Sequence, residues 1–454
     1  MTKRWLLWVA LVGCDDGTAG DPYTQVVEVS VNPNRDLDIL FVIDDSPSMF
    51  DKQKNLADNF PKFIDRLNAS SGGFPNLHVG VVTSDMGTKG SEVMALATPI
   101  GQVGNGGCSG NGKGGALQIS GAPVTGSYLS DEINFDGGRN RNYTGDISTV
   151  FATMAKVGAG GCGFEQHLAA MRASLDGSVA ANAGFLRASA VLAVIFVADE
   201  DDCSFKTPAI LDPANAALGP LQSFRCTRFG VRCETGGATP DAMNQLGVKG
   251  QCGANPMSQY FDDVAPFHDF LLGLKDGDTS HVIVAGIVGA TAVEVESRMP
   301  PSGPDVLALK HSCTYTGANG PEVADPPARL KAFLDLFPGR STSSTICQQD
   351  LSGTLDQIGQ LVVSSIGNVC LTTSVADMDP ATEGVQFDCK VEDVVGASVT
   401  AIPRCDASST PTCWSLEADP ANCTMGDHLN FVVHRGTTTP DPTTIVRMQC
   451  KLET

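Results

Sequence analysis

Leu37-Asp38-Ile39-Leu40-Phe41-Val42-Ile43-Asp44-Asp45-Ser46-Pro47-Ser48-Met49 is the stretch that decides how this chain is read. Residues 37–43 are near-continuously apolar, the pattern of a strand covered on both faces. The run stops at Asp44, and Asp44, Ser46 and Ser48 then alternate. With that spacing a carboxylate and two hydroxyl oxygens can face one point, a donor set suited to a hard cation. Further on, Leu56, Phe60, Phe63, Ile64 and Leu67 share one face of a predicted helix, with Pro61 as an expected kink.

The same alternation continues outward. Leu77–Thr83, Ala190–Val197 and His281–Ile287 read as further buried strands. Helical spacing is predicted near 146–156, 164–176, 258–274, 326–337 and 350–365. Apolar strands alternating with helices predict an α/β fold with a doubly wound, mostly parallel, Rossmann-like sheet. The strand 190–197 is also followed by an acid, Asp199. Such sheets gather ligands at the carboxyl ends of strands, beside the switch in strand order, so Asp44 and Asp199 are expected to converge on one divalent ion. Two stretches interrupt the pattern, a Gly- and Asn-rich one at about 86–143 and a Pro- and Gly-rich one at about 204–257. From 368 to 454 short alternating runs such as Gln386–Val391 predict a small cystine-rich β domain.

The amino terminus predicts export. Lys3 and Arg4 precede the short apolar run Trp5–Val12, too short to span a bilayer and typical of a signal peptide. It ends Leu11-Val12-Gly13-Cys14, which resembles the lipobox of bacterial lipoproteins, with Cys14 as the lipidated residue. Residues 15–34 then read as a spacer with one β-like run, Gln25–Val31. Fifteen cysteines occur, and setting Cys14 aside leaves eight before residue 366 and six after it. Both sets are even, as expected for two regions that each close their own disulfides in an oxidising compartment. The formal charge of −21 repels a phosphate backbone and speaks against nucleic acid as a partner. It also speaks against electrostatic adhesion to anionic lipid, which leaves the lipid on Cys14 as the membrane contact.

FVIDDSPSM (41–49) and FVADEDD (196–202), set in this alternation, resemble the von Willebrand factor A-domain family. The likeness covers about residues 37–366, within a domain drawn at 35–367. It implies that Asp44, Ser46, Ser48 and Asp199 are ligands of the family's metal-ion-dependent adhesion site. The ion is usually Mg²⁺, with Ca²⁺ or Mn²⁺ as alternatives, and an open position takes a carboxylate from a protein partner. The family also supplies a Thr from the loop between the two strands. Here that loop, residues 158–165, has none, and Glu165 is its only side chain with a hard oxygen. Either Glu165 replaces the Thr, adding charge that favours Ca²⁺, or it is an exposed residue favourable to a helix N-terminus. If the two loops converge, Cys162 and Cys203 share a rim of the sheet, and a Cys162–Cys203 bridge is expected, the alternative being that each pairs with an interrupting stretch, for example with Cys108 or Cys226.

Other motifs carry less. Residues 107–114 nearly match a phosphate-binding loop but lack its final Ser/Thr and a preceding buried strand. Gly158–Gly163 matches G-x-G-x-x-G after a helical segment rather than a strand. Glu200-Asp201-Asp202 reads as a solvated rim. No G-x-S-x-G or H-E-x-x-H occurs, and the seven His are scattered. The expected function is a lipid-anchored binding or adhesion protein of the cell envelope, not an enzyme, that recognises a protein partner through a divalent metal. An exported metal-dependent hydrolase and a structural envelope scaffold are the alternatives.

Overall fold

A computed structural model describes residues 24–452, apart from 31–34, 71–72, 135–137, 300–302, 364, 367–368, 372, 378, 380, 382–385, 397, 407–411, 421–422, 424–425 and 436–443. The leader and Cys14 lie outside the described residues. By contact the chain divides into a large unit, residues 33–368, and a small unit made of residues 1–32 with 369–454.

The large unit is mixed α/β. Its main sheet is built from β1 (Asp36–Ile43), β2 (Asn76–Thr83), β3 (Leu129–Ile133), β4 (Arg139–Arg141), β5 (Val191–Val197), β6 (Val282–Val288) and β7 (Ser341–Thr345). The strand order is β7-β6-β5-β1-β2-β3-β4. The five strands from β7 to β2 are parallel, and β3 and β4 add an antiparallel edge. The chain passes from β1 to β2 on one side and later returns to β5 on the other. The order therefore reverses between β1 and β5, the position where an open α/β sheet leaves a crevice.

The apolar strands face two ways because both sides are covered. Leu37, Ile39, Phe41 and Ile43 of β1 pack with α1 (Phe50–Asn68), α2 (Ile147–Met154) and α6 (Ser352–Val363). Leu40 and Val42 turn to the other side, against α3 (His167–Leu175), α4 (Ala265–Gly273) and α5 (Ala328–Leu334). Each such side chain, fully buried, contributes about 1.5–3 kcal/mol. The predicted face of α1 is all buried, and the helix continues through Pro61. Asp38 is the buried polar exception within β1, and Arg187 Nη2 meets its Oδ1 at 2.8 Å.

The interruptions have structure of their own. Strands 231–235, 247–254, 293–298 and 306–309 form a four-stranded antiparallel sheet. Cys313–Gly317 and Gly320–Ala324 form a separate hairpin. In the small unit, Thr24–Ser30 lies at the edge of a sheet with Ile445–Lys451, Cys389–Val395 and Ser398–Ile402. A second sheet joins Val369–Cys370, Leu429–His434 and Cys413–Ala418. Trp414 and Phe431 belong to this unit's core.

Six disulfides are described, and each closes within its own unit: Cys108–Cys162, Cys203–Cys226, Cys233–Cys252 and Cys313–Cys347 in the large one, Cys389–Cys450 and Cys405–Cys413 in the small one. The expected Cys162–Cys203 bridge is therefore not formed. The two loops do meet, but residue 203 pairs with residue 165, not 162: Cys203 N–H donates to Glu165 O at 2.6 Å. Cys162 sits opposite the returning excursion, where Gly163 N–H donates to Gly106 O at 2.9 Å, and so reaches Cys108. Cys203 turns instead to the helix Phe224–Gly230, which carries Cys226. Among the described residues no helix is long and apolar enough to cross a membrane.

Candidate metal site at the strand switch

The carboxyl ends of β1 and β5 bring Asp44 and Asp199 side by side. Asp44 N–H donates to Val197 O at 3.0 Å, continuing the β1–β5 ladder by one step. Both acids are buried, 0 % and 3 % exposed. Ser46 N–H donates to Asp44 Oδ1 at 2.7 Å, which bends the chain back over the strand end. The Ser46 and Ser48 hydroxyls then lie 3.1 Å apart, on the same side of the turn. Gln53 of α1 fixes the turn from below, donating to Asp44 O at 3.0 Å and to Gly158 O at 2.7 Å. The last of these brings in the 158–165 loop.

That loop delivers Glu165, which is 1 % exposed and lies two residues before α3. The exposed helix-end reading of Glu165 is thereby excluded. The loop is seated on Asp45: Gly161 N–H donates to Asp45 O at 2.7 Å. A Cβ on Gly161 would stand 2.3 Å from Asp45 Oδ1, so only glycine fits. Gly161→Ala is expected to cost about 1–3 kcal/mol by overpacking, read as a lower thermal midpoint; an unchanged midpoint would show that the loop is not seated on Asp45.

The electrostatics are lopsided. Burial first, then Asp199, raises the Asp44 carboxyl well above its usual range. Burial first, then Glu200 and Asp44, does the same to Glu165. Burial, with Asp325 and Asp199, pushes the half-buried Glu200 up to about 8. Asp44 Oδ2, Asp199 Oδ1 and both Glu165 carboxylate oxygens are buried without a hydrogen-bond partner. Buried charges of one sign with open lone pairs are costly unless a cation meets them.

Part of that need is met by lysines the sequence did not single out. Lys52, in the first turn of α1, places Nζ 3.0 Å from Asp199 Oδ2 and 2.6 Å from Glu322 Oε2. Lys113, inside the stretch that mimics a phosphate-binding loop, places Nζ 2.8 Å from Asp45 Oδ2. Asp85 caps a turn, its Oδ1 accepting Gly87 N–H at 2.9 Å. The Glu200-Asp201-Asp202 run is not a solvated rim. Asp201 accepts Arg329 and Leu330 N–H at the start of α5, and Asp202 Oδ1 accepts Leu168 N–H at the start of α3. Two helix N-termini thus take up these charges.

Among the described residues no three His, Cys, Asp or Glu side chains form a ready ligand cluster. The candidate donors for a divalent ion are mixed: the unpartnered oxygens of Asp44, Asp199 and Glu165, and the Ser46 and Ser48 hydroxyls. Their chemistry is all hard oxygen, suited to Mg²⁺, Ca²⁺ or Mn²⁺ rather than to a soft metal.

A pH dependence follows. Glu200, Asp44 and Glu165 hold protons in the folded protein at pH values where the unfolded chain has lost them. Folded-state pKa values that are raised make stability fall as pH rises from the unfolded carboxylate range through the folded values, here from about 4.5 to about 8. In chelator the thermal midpoint is expected to drop across that window. Millimolar Ca²⁺ is expected to flatten the drop, with protons released on binding. A midpoint that rises with pH in chelator contradicts this.

No family model matches the chain, and no curated protein matches it. Among solved structures it is similar to the human COPII-coat protein Sec24c, at 9 % identity and TM-score 0.32, covering 94 % of this chain and 46 % of that one. It is similar to the pilus adhesin RrgA from Streptococcus pneumoniae, at 11 % identity and TM-score 0.26, covering 95 % and 58 %. A third is the three N-terminal domains of the type V pili tip protein Mfa5 from Porphyromonas gingivalis, at 10 % identity and TM-score 0.23, covering 96 % and 66 %. The chain spans between about half and two thirds of these structures, and likenesses this low carry no argument about function.

Proposed function

We propose that residues 35–367 are a von Willebrand factor A-like domain that holds a divalent cation at the β1–β5 switch and uses it to bind an acidic group of a protein partner. The reading makes the chain a binding protein of the cell envelope, tethered through Cys14. The observation that carries it is the set of buried, unpartnered carboxylate oxygens on Asp44, Asp199 and Glu165, gathered where the strand order reverses. When bound, a divalent ion supplies positive charge and an open coordination position there. Asp44 and Asp199 would hold it from the two strand ends, and the Ser46 and Ser48 hydroxyls from the turn. Ser48 is exposed, so the turn is the side from which a partner's carboxylate has access. The disulfides of both units suit an oxidising compartment.

Burial of Glu165 favours one second reading, a structural ion whose shell Glu165 closes. Partner capture separates the two. Immobilised protein in Mg²⁺ or Ca²⁺ is expected to retain an envelope protein that a chelator elutes and that high salt does not. Cation binding with no chelator-sensitive partner would favour the structural ion.

A further inference from the structure

We infer that Lys52 is a built-in counter-ion of the carboxylate cluster, and that through Lys52 the 313–324 hairpin sets how strongly the cluster takes up a divalent cation. The inference rests on the divalent-ion reading above and adds a regulator to it.

Lys52 is 1 % exposed, deep for an ammonium, and its three protons are all directed. Nζ meets Asp199 Oδ2 at 3.0 Å, Glu322 Oε2 at 2.6 Å and Ser48 O at 3.0 Å. The ammonium thus binds one oxygen of Asp199 and leaves the other, Oδ1, without a partner. It also binds the carbonyl of Ser48, whose hydroxyl belongs to the proposed donor set. A monovalent charge placed this way competes electrostatically with a divalent ion at the same carboxylate, because like charges a few ångströms apart repel strongly where water is scarce.

Lys52 is held in place from outside the sheet. Glu322 comes from the second strand of the hairpin, and the hairpin grips the start of α1 at further points. Asn319 N–H donates to Asp51 Oδ2 at 3.0 Å, and Asn55 Nδ2 donates to Tyr315 Oη at 2.9 Å. Cys313, at the hairpin's base, is bridged to Cys347. One residue past the hairpin, Asp325 N–H donates to Asp199 O at 2.7 Å. The hairpin and the residue that follows it therefore reach Asp199 twice, once through the backbone of Asp325 and once from Glu322 by way of Lys52. Binding of a cation and seating of the hairpin must then influence each other reciprocally.

The test is a calorimetric titration of MgCl₂ and CaCl₂ into wild-type, Lys52→Met, Lys52→Arg and Glu322→Gln proteins. Lys52→Met is expected to bind Ca²⁺ at least about tenfold more tightly, because a competing charge is gone, while Lys52→Arg stays near wild type. Glu322→Gln is expected to bind about threefold or more weakly, because Lys52 then serves Asp199 alone. That variant sits on the half-buried side of the pair and keeps the proposal testable if Lys52→Met does not fold. Hydrogen exchange supplies a second readout: amides of 313–324 are expected to lose protection when Ca²⁺ is added to wild type. A Lys52→Met affinity equal to or weaker than wild type overturns the inference. So does an unchanged or tighter Glu322→Gln, or a hairpin whose protection does not move. If wild type itself binds neither cation, it is the divalent-ion reading that fails.

Discussion

Asp44→Asn is expected to abolish divalent-cation binding and, in chelator, to raise the thermal midpoint of the protein. The two effects have opposite signs for one reason. Asp44 is fully buried, its Oδ2 has no partner, and Asp199 stands beside it as a second buried acid. Without an ion this arrangement is repulsive and poorly solvated, so a neutral amide relieves it. Asn keeps an oxygen for the Ser46 N–H that Asp44 Oδ1 now accepts, so the turn is preserved. The expected gain in chelator is about 1–3 kcal/mol, the usual cost of a poorly satisfied buried polar group. With millimolar Ca²⁺ the order is expected to reverse, because wild type would gain binding free energy and the variant would not. A variant less stable than wild type in chelator would assign Asp44 a purely structural role.

Arg329→Met is expected to produce a large loss of stability. The guanidinium is completely buried, and each of its three nitrogens has a partner. Nη2 meets Asp202 Oδ2 at 3.0 Å and donates to Asp262 O at 2.8 Å, while Nε donates to Asp202 O at 3.0 Å and Nη1 to Gly230 O at 3.2 Å. Its plane lies over the Phe261 ring, 5.7 Å from the centroid. Breaking one side of a buried pair strands the other charge and costs about 3–5 kcal/mol. For a unit of this size that corresponds to a fall in midpoint of about 4–7 °C. Because Asp202 follows Asp199 by three residues, the same change is expected to weaken cation binding. Lysine should not rescue it, since an ammonium lacks the planar fork. A midpoint within about 2 °C of wild type would contradict the account.

What the sequence reveals follows from what each residue needs locally. β1, β2, β5 and β6 are legible because a strand covered on both faces must be apolar throughout, and their burial leaves no other composition. β7 is Ser-Thr-Ser-Ser-Thr; as the edge strand beside β6 it contributes backbone pairing and little apolar surface, so it carries no hydrophobic signal. Asp44 and Asp199 are legible as acids that end such strands. Lys52 and Glu322 are not, since they stand 270 residues apart and meet only because a hairpin folds back over α1. The cysteine pairing is obscured in the same way, by the return of the 86–128 excursion to the 158–165 loop. Asp201 and Asp202 mislead because a run of acids usually faces water, whereas here two helix N-termini and Arg329 draw them inside.

Whether the strand switch holds a divalent ion is decided by growing crystals of the protein with Mn²⁺ and locating the ion by its anomalous scattering. One strong peak is expected at the carboxyl ends of β1 and β5, within bonding distance of Asp44 or Asp199 and of the Ser46 and Ser48 hydroxyls. A peak elsewhere on the chain, or none at millimolar Mn²⁺ with those residues ordered, would contradict it.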